Sequence, residues 1–121
     1  MPMIDYMWDP DVYTMGQMRY LGGKLQTALR RAIVAARSSA THEYGVIVQG
    51  REYGPITYNV PDLEIRIDYH QEWMFTDEEL GRIAEEMMKV VGQMLRDSGA
   101  VINDVKIRLY ARIGYKGVAL P

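Results

Sequence analysis

The chain contains no cysteine. This absence excludes a disulfide framework, a thiolate nucleophile and a cysteine-based zinc site. The net charge is only -2, so the composition gives no basic surface for nucleic acid. No apolar run approaches the roughly 18 residues of a membrane helix, and no signal-peptide pattern precedes the first predicted strand. We therefore expect a cytoplasmic protein that binds neither nucleic acid nor a membrane.

The 121 residues, 48% of them hydrophobic, suit one domain that covers residues 1–121. Alternating apolar residues predict strands at 2–8, 44–48, 63–70 and 104–112, and a short strand at 56–58 is a further possibility. Apolar residues at helical spacing predict two helices, one from Thr14 to Arg37 and one from Thr76 to Gly99. Gly22 and Gly23 interrupt the first helix and suggest close packing on a sheet.

An internal repeat underlies this order of elements. A shift of 61 residues places Ile4 and Tyr6 on Ile65 and Ile67, and one extra residue aligns Thr14 with Thr76. A shift of 61 then aligns the second strand with the last. The chain is thus predicted to be two tandem β-α-β units, at about residues 2–49 and 63–112. Right-handed crossovers would place both helices on one face of a four-stranded α+β sheet.

The opposite face of that sheet is predicted to carry many charged side chains. Two explanations stay open. A two-layer domain can leave this face in water. Alternatively, several sheets meet around an axis and bury the face through mutual ion pairs. The positions in question are Met3, Asp5, Met7, Glu64, Arg66, Asp68, His70, Lys106, Arg108 and Tyr110.

Pro2 is the residue with the most distinctive chemistry. Met1 precedes a small residue, so removal of Met1 in the cell would expose Pro2 as a secondary amine. A free α-amino group has a pKa near about 7.7–8.0, and burial among apolar neighbours lowers it. Such an amine can act as a general base or a nucleophile near neutral pH. Alternatively, Pro2 only stiffens an edge strand.

The N-terminal proline, the tandem β-α-β units and the chain length together resemble the tautomerase superfamily. The similarity is to the branch of macrophage migration inhibitory factor and to fused relatives of 4-oxalocrotonate tautomerase. It covers most of the chain, from the opening Met-Pro-Met-Ile to the last strand. The resemblance implies a homotrimer whose sheets form a barrel with the helices outside, and no cofactor. It also implies proline-based isomerase, dehalogenase or decarboxylase chemistry on a small enol, keto or unsaturated carboxylic acid.

The same resemblance implies roles for six residues. Pro2 would be the general base, and Lys106 and Arg108 would reach the substrate across a subunit interface. Arginine there favours anionic substrates, since its fork binds a carboxylate at two points. The remaining substrate-binding positions are Arg37, Tyr69 and His70.

Two alternatives accompany this interpretation. One is a non-catalytic oligomeric α+β binding module in which Pro2 is structural. The other is a ferredoxin-like fold, which also has four strands and two helices. We expect it to be recognised by inner pairing of the first and third strands. No third ligand accompanies the two histidines and their acidic neighbours, so no metal site is predicted.

Overall fold

Two helices pack on one face of a four-stranded sheet in the computed structural model, which describes residues 2–38 and 45–112. Met1, residues 39–44 and residues 113–121 lie outside the described part of the chain. In the part described, no helix is long and apolar enough to cross a membrane. The elements in chain order are β1 (Met3–Trp8), α1 (Met15–Ala36), β2 (Ile47–Glu52), β3 (Leu63–His70), a 3₁₀ turn (Gln71–Trp73), α2 (Asp77–Asp97) and β4 (Val105–Arg112).

The sheet has the strand order β2-β1-β3-β4. β1 pairs in parallel with β2, and β3 pairs in parallel with β4, while the inner pair β1 and β3 is antiparallel. The predicted α+β sheet of two tandem β-α-β units is therefore confirmed. In a ferredoxin-like fold the β-α-β unit is split by an intervening strand, which is not the case here. The expectation that inner β1–β3 pairing would identify that alternative is wrong, because this sheet has the same inner pair.

The pairing register of the sheet agrees with the predicted repeat in the two inner strands and differs from it in the two outer strands. Ile4 lies opposite Ile67, and Tyr6 lies opposite Ile65, as a two-fold relation with a shift of 61 requires. Met3 of β1 pairs with Ile47 of the outer strand β2. Its equivalent in β3, Glu64, pairs with Lys106 of the other outer strand, β4. The outer strands are therefore related by a shift of 59 rather than 61. The error of two residues equals one strand period, so each side chain keeps its predicted face.

Both helices begin at a complete capping box. The Thr14 side chain accepts the N–H of Gln17, and the Gln17 side chain accepts the N–H of Thr14. Thr76 and Glu79 repeat this exchange at α2. These bonds satisfy donors that a helix start leaves free. Beyond α2, Gly99 has a φ of 73°, a left-handed conformation that glycine adopts without steric cost.

The second strand differs most from its prediction. β2 begins at residue 47 and extends to residue 52, and the predicted start at Tyr44 lies outside the described residues. The alternation of apolar residues placed the predicted strand too early in the chain. The reason is that β2 is an edge strand whose later residues are mostly polar and exposed. Residues 56–58 form no strand, and the 3₁₀ turn after β3 was not predicted.

The hydrophobic core lies between the helices and one face of the sheet. Even-numbered residues of β1 and odd-numbered residues of β3 are buried, while their neighbours in sequence face the other side. The helices contribute the apolar stripes predicted from their spacing. The buried stripe residues are Met18, Leu21, Leu25, Ala28, Leu29, Ala32 and Ile33 in α1 and Ile83, Met87, Val91, Met94 and Leu95 in α2.

Tyr6 connects three elements at the centre of this core. Its hydroxyl donates a hydrogen bond of 2.9 Å to the carbonyl of Met18 in α1, and burial raises the pKa of Tyr6. The ring covers Gly50 of β2, and the hydroxyl lies against Gly22 of α1, so a Cβ at either glycine would overlap the tyrosine. The suggested packing role thus applies to Gly22. At Gly23 a Cβ would meet nothing within 4 Å.

An ion pair joins the end of α1 to the start of α2. Arg37 donates from Nε to Oε2 of Glu79 and from Nη2 to Oε1, both at 2.7 Å. The hydrogen bond from Arg37 is the largest cause that lowers the pKa of Glu79, to about 2. A two-point arginine–carboxylate contact fixes orientation as well as distance. It therefore sets how the two helix ends meet.

We predict opposite effects for alanine at the two adjacent glycines of α1. Gly22→Ala should reduce the free energy of unfolding by about 1–2 kcal/mol, because overpacking against Tyr6 outweighs the gain in helix propensity. Gly23→Ala should raise it by up to about 1 kcal/mol, because only helix propensity changes. Urea denaturation of both variants checks this. Shifts in the same direction would contradict the packing role of Gly22.

We also predict that the Arg37–Glu79 pair makes stability depend on pH. The folded protein holds the pKa of Glu79 at about 2, below the ordinary value of 4.5. The stabilisation is therefore present above about pH 4.5 and disappears as pH falls towards 2. Wild type should unfold at higher temperature than Glu79→Gln near neutral pH, and the difference should vanish in acid.

Glu78→Gln is the matched control for this measurement, since Glu78 pairs with Arg82 on the exposed side of the same helix. Its melting temperature should follow that of wild type across the pH range. A Glu79→Gln difference that persists unchanged at low pH would show that the ion pair is not its source.

Candidate functional site

Pro2 is buried at the start of β1. The edge of the sheet at this point is formed by strand ends, since β1 and β2 begin there and β3 ends there. Its carbonyl accepts the backbone N–H of Ile47 at 3.1 Å. Met3 is paired with Asp68 on the other side, so the same register continued by one residue would set Pro2 opposite Tyr69. Pro2 thus begins an inner strand and not the edge strand of the alternative, and it is fixed between the start of β2 and the end of β3.

The end of α1 reaches the same edge of the sheet, because α1 runs back from the end of β1 to the start of β2. A shallow cavity of about 480 Å³ lies there, lined by Arg37, His70, Glu72 and Trp73. The structure therefore brings together two of the predicted substrate-binding residues, Arg37 and His70. Pro2 does not line this cavity.

Arg37 is held by four hydrogen bonds. Besides the two to Glu79, Nη1 donates to the carbonyl of Trp73 at 2.6 Å and Nη2 donates to that of Met74 at 3.4 Å. The guanidinium also lies 4.7 Å from the ring centroid of Phe75. Hydrogen bonding to Glu79 is the main cause that raises the pKa of Arg37. This group is a fixed, paired cation.

Tyr69 and His70 end β3 on opposite faces. Tyr69 is buried on the helix side, with its ring edge-on to Phe75 at a centroid distance of 5.2 Å. Phe75 in turn stacks with Trp73. The Nδ1 atom of His70 accepts the N–H of Glu72 at 3.2 Å and so caps the 3₁₀ turn. The unprotonated nitrogen is thereby assigned to Nδ1.

Lys106 and Arg108 lie elsewhere on the open face of the same chain. Arg108 is in register with position 66 and Lys106 with position 64, which lie opposite positions 5 and 7 of β1. Along β1 this places them about 10 and 17 Å from Pro2, at about 3.3 Å per residue. Arg108 approaches Glu64 at 3.8 Å, and Lys106 approaches Asp104 at 3.9 Å. A single chain does not bring them to Pro2.

Sequence reasoning missed Glu79, Trp73 and Phe75 as members of this edge. Glu79 lies at the capping-box position of α2, and the two aromatic residues lie between β3 and α2. The capping box and an antiparallel relation of the helices together contained the signal for Glu79. Within residues 2–38 and 45–112, no three His, Asp or Glu side chains could hold a metal ion.

The chain matches no family model and no curated protein. Solved structures with a similar fold were found at low sequence identity. MIF2 of Leishmania major is 12% identical, with a TM-score of 0.59, covering 97% of this chain and 95% of that one. FG41 malonate semialdehyde decarboxylase is 14% identical, with a TM-score of 0.54, covering 98% and 99%.

A third structure is the wild-type asymmetric trimer of the fused 4-OT named F6. It is 13% identical to this chain, with a TM-score of 0.58, and the match covers 96% of this chain and 94% of that one. These matches extend over nearly the whole length of both chains, and they agree with the two β-α-β units in the sheet. The chain has the fold of the tautomerase superfamily.

Proposed function

We propose that this protein is a tautomerase-like enzyme in which Pro2 is the general base. Its nitrogen takes a proton from the carbon or hydroxyl oxygen of a small enol, keto or unsaturated carboxylic acid and returns it to another atom of the substrate. Isomerisation is the basic reaction of this kind, and dehalogenation or decarboxylation are variants within the same chemistry. The protein would act in the cytoplasm without a cofactor.

The position of Pro2 carries this proposal. It is buried at the start of an inner strand, at the sheet edge to which Arg37 and His70 also belong. Burial favours the neutral form of an amine, which is the form that accepts a proton. The fold itself includes a malonate semialdehyde decarboxylase among its solved examples.

The other five predicted residues have substrate-binding roles in this proposal. Arg37, Tyr69 and His70 form the part of the site that belongs to the same chain as Pro2. Lys106 and Arg108 would come from a neighbouring subunit of a homotrimer, since within one chain they lie along the strands away from Pro2. The F6 fused 4-OT, which shares the fold, is a trimer. A carboxylate bound there would meet two positive charges.

We predict that Pro2→Ala lowers kcat for tautomerisation of an enol-pyruvate substrate by about 10²–10⁴-fold, the usual contribution of a general base. Protein without a tag is first weighed intact, because a retained Met1 converts the proline nitrogen into an amide without basicity. Turnover is followed by ultraviolet absorbance, and the assembly state by analytical ultracentrifugation.

Pro10→Ala is the matched control, since Pro10 is an exposed proline in the loop after β1. It should keep the turnover and the assembly of wild type. If Pro2→Ala turns over substrate as wild type does, the general base is not Pro2. If wild type and Pro2→Ala both fail to turn over substrate and both assemble, the proposed enzyme is rejected in favour of the non-catalytic binding module with a structural Pro2.

A further inference from the structure

Glu79 pairs with Arg37, an arginine that lines the cavity at the end of the sheet where β1 begins. An arginine side chain has five N–H donors in a planar fork. Four of them are used by two oxygens of Glu79 and by the carbonyls of Trp73 and Met74. Within the described residues, one N–H on Nη1 of Arg37 has no acceptor.

The backbone around this contact also holds the guanidinium in place. Met74 has a φ of 48°, in the left-handed region that side chains other than glycine rarely adopt. Its carbonyl and that of Trp73 both accept hydrogen bonds from Arg37, while the ring of Phe75 lies along the guanidinium. Arg37 therefore cannot turn its fork towards a ligand without losing contacts on several sides.

The charges at the cavity also disfavour an anion. Glu72, with its side chain 85% exposed, lines the cavity together with Arg37, His70 and Trp73. The positive charge of Arg37 is already balanced by Glu79. Arg37, Glu79 and Glu72 together carry one net negative charge. A carboxylate placed here would meet one N–H donor and a nearby like charge.

We propose that Glu79 is a positioning residue that turns Arg37 from a two-point carboxylate anchor into a single-point donor. This inference rests on the proposed function, because it assigns one end of the substrate to the site beside Pro2. The Arg37 end takes the uncharged carbonyl or enol oxygen of the substrate. The substrate carboxylate lies at the other end and is bound by cations other than Arg37.

Two small probes test this assignment, 2-oxobutanoate and its methyl ester, which lacks the negative charge and carries one additional methyl group. Their dissociation constants are measured on the full chain by NMR titration near neutral pH. Glu79→Gln should tighten binding of the acid by about 10–100-fold, because it releases Arg37 for a charge-assisted contact. Binding of the ester should stay within about twofold, since an uncharged carbonyl oxygen needs only the one N–H on Nη1 of Arg37 that already lacks an acceptor in the wild type.

Glu78→Gln is the control, because it removes the same charge one residue away without touching Arg37. It should leave the ratio of acid to ester affinity unchanged. Glutamine at position 79 can still serve the capping box. If Glu79→Gln nevertheless fails to fold, Arg37→Lys and Arg37→Gln in the otherwise native chain decide the question. Lysine should retain ester binding and glutamine should weaken it, with the same effect on the acid.

Three results would overturn the inference. The first is an acid-to-ester ratio that Glu79→Gln leaves unchanged. The second is a loss of acid binding alone in Arg37→Gln, which would show that Arg37 already anchors the carboxylate. The third is the absence of binding of either probe to every variant. None of these binding measurements requires turnover. The proposed role of Glu79 is therefore tested independently of the proposed role of Pro2.

Discussion

The antiparallel pairing of β1 with β3 is the constraint on which the rest of the structure depends. It relates the two β-α-β units by an approximate two-fold rotation. Helices on one face of such a sheet must run antiparallel, so the end of α1 meets the start of α2. That meeting places Arg37 against Glu79, and it places both at the sheet edge where Pro2 begins β1. The ion pair is therefore a consequence of topology as much as of local sequence.

The two-fold relation also shows how the two ends of the sheet have diverged. The residue equivalent to Pro2 in the second unit is Leu63, which is fully buried. The equivalent of Glu79 is Gln17, which serves the same capping box without a charge. The equivalent of Arg37 falls at Gly99, after the end of α2. Within residues 2–38 and 45–112, only the Pro2 end of the sheet combines a proline at a strand start with a fixed ion pair, so the proposed site would belong to one end of the sheet.

The sequence was sufficient to predict which face of each strand and helix is buried. It was not sufficient to predict which residues are in contact where these elements end. Strand alternation and helical spacing depend on local geometry, so the repeat and the core could be predicted from residues such as Ile4 and Ile65. The pairing of Arg37 with Glu79 joins residues 42 positions apart. Its geometry depends on the 3₁₀ turn that presents the carbonyl of Trp73, and no periodic pattern marks such a turn. The sequence allowed Arg37 to be proposed as a site residue, but it did not predict the contacts that hold Arg37.

The open face of the sheet gives the last constraint on how the site is completed. Arg66 lies 3.3 Å from Asp68, so these charges are matched inside the chain. Asp5 and Arg51 also face this side, and neither forms an ion pair within residues 2–38 and 45–112. Burying such charges without partners would be strongly destabilising. An oligomer that covers this face must therefore supply an anion for Arg51 and a cation for Asp5, and the same face of an identical chain carries both.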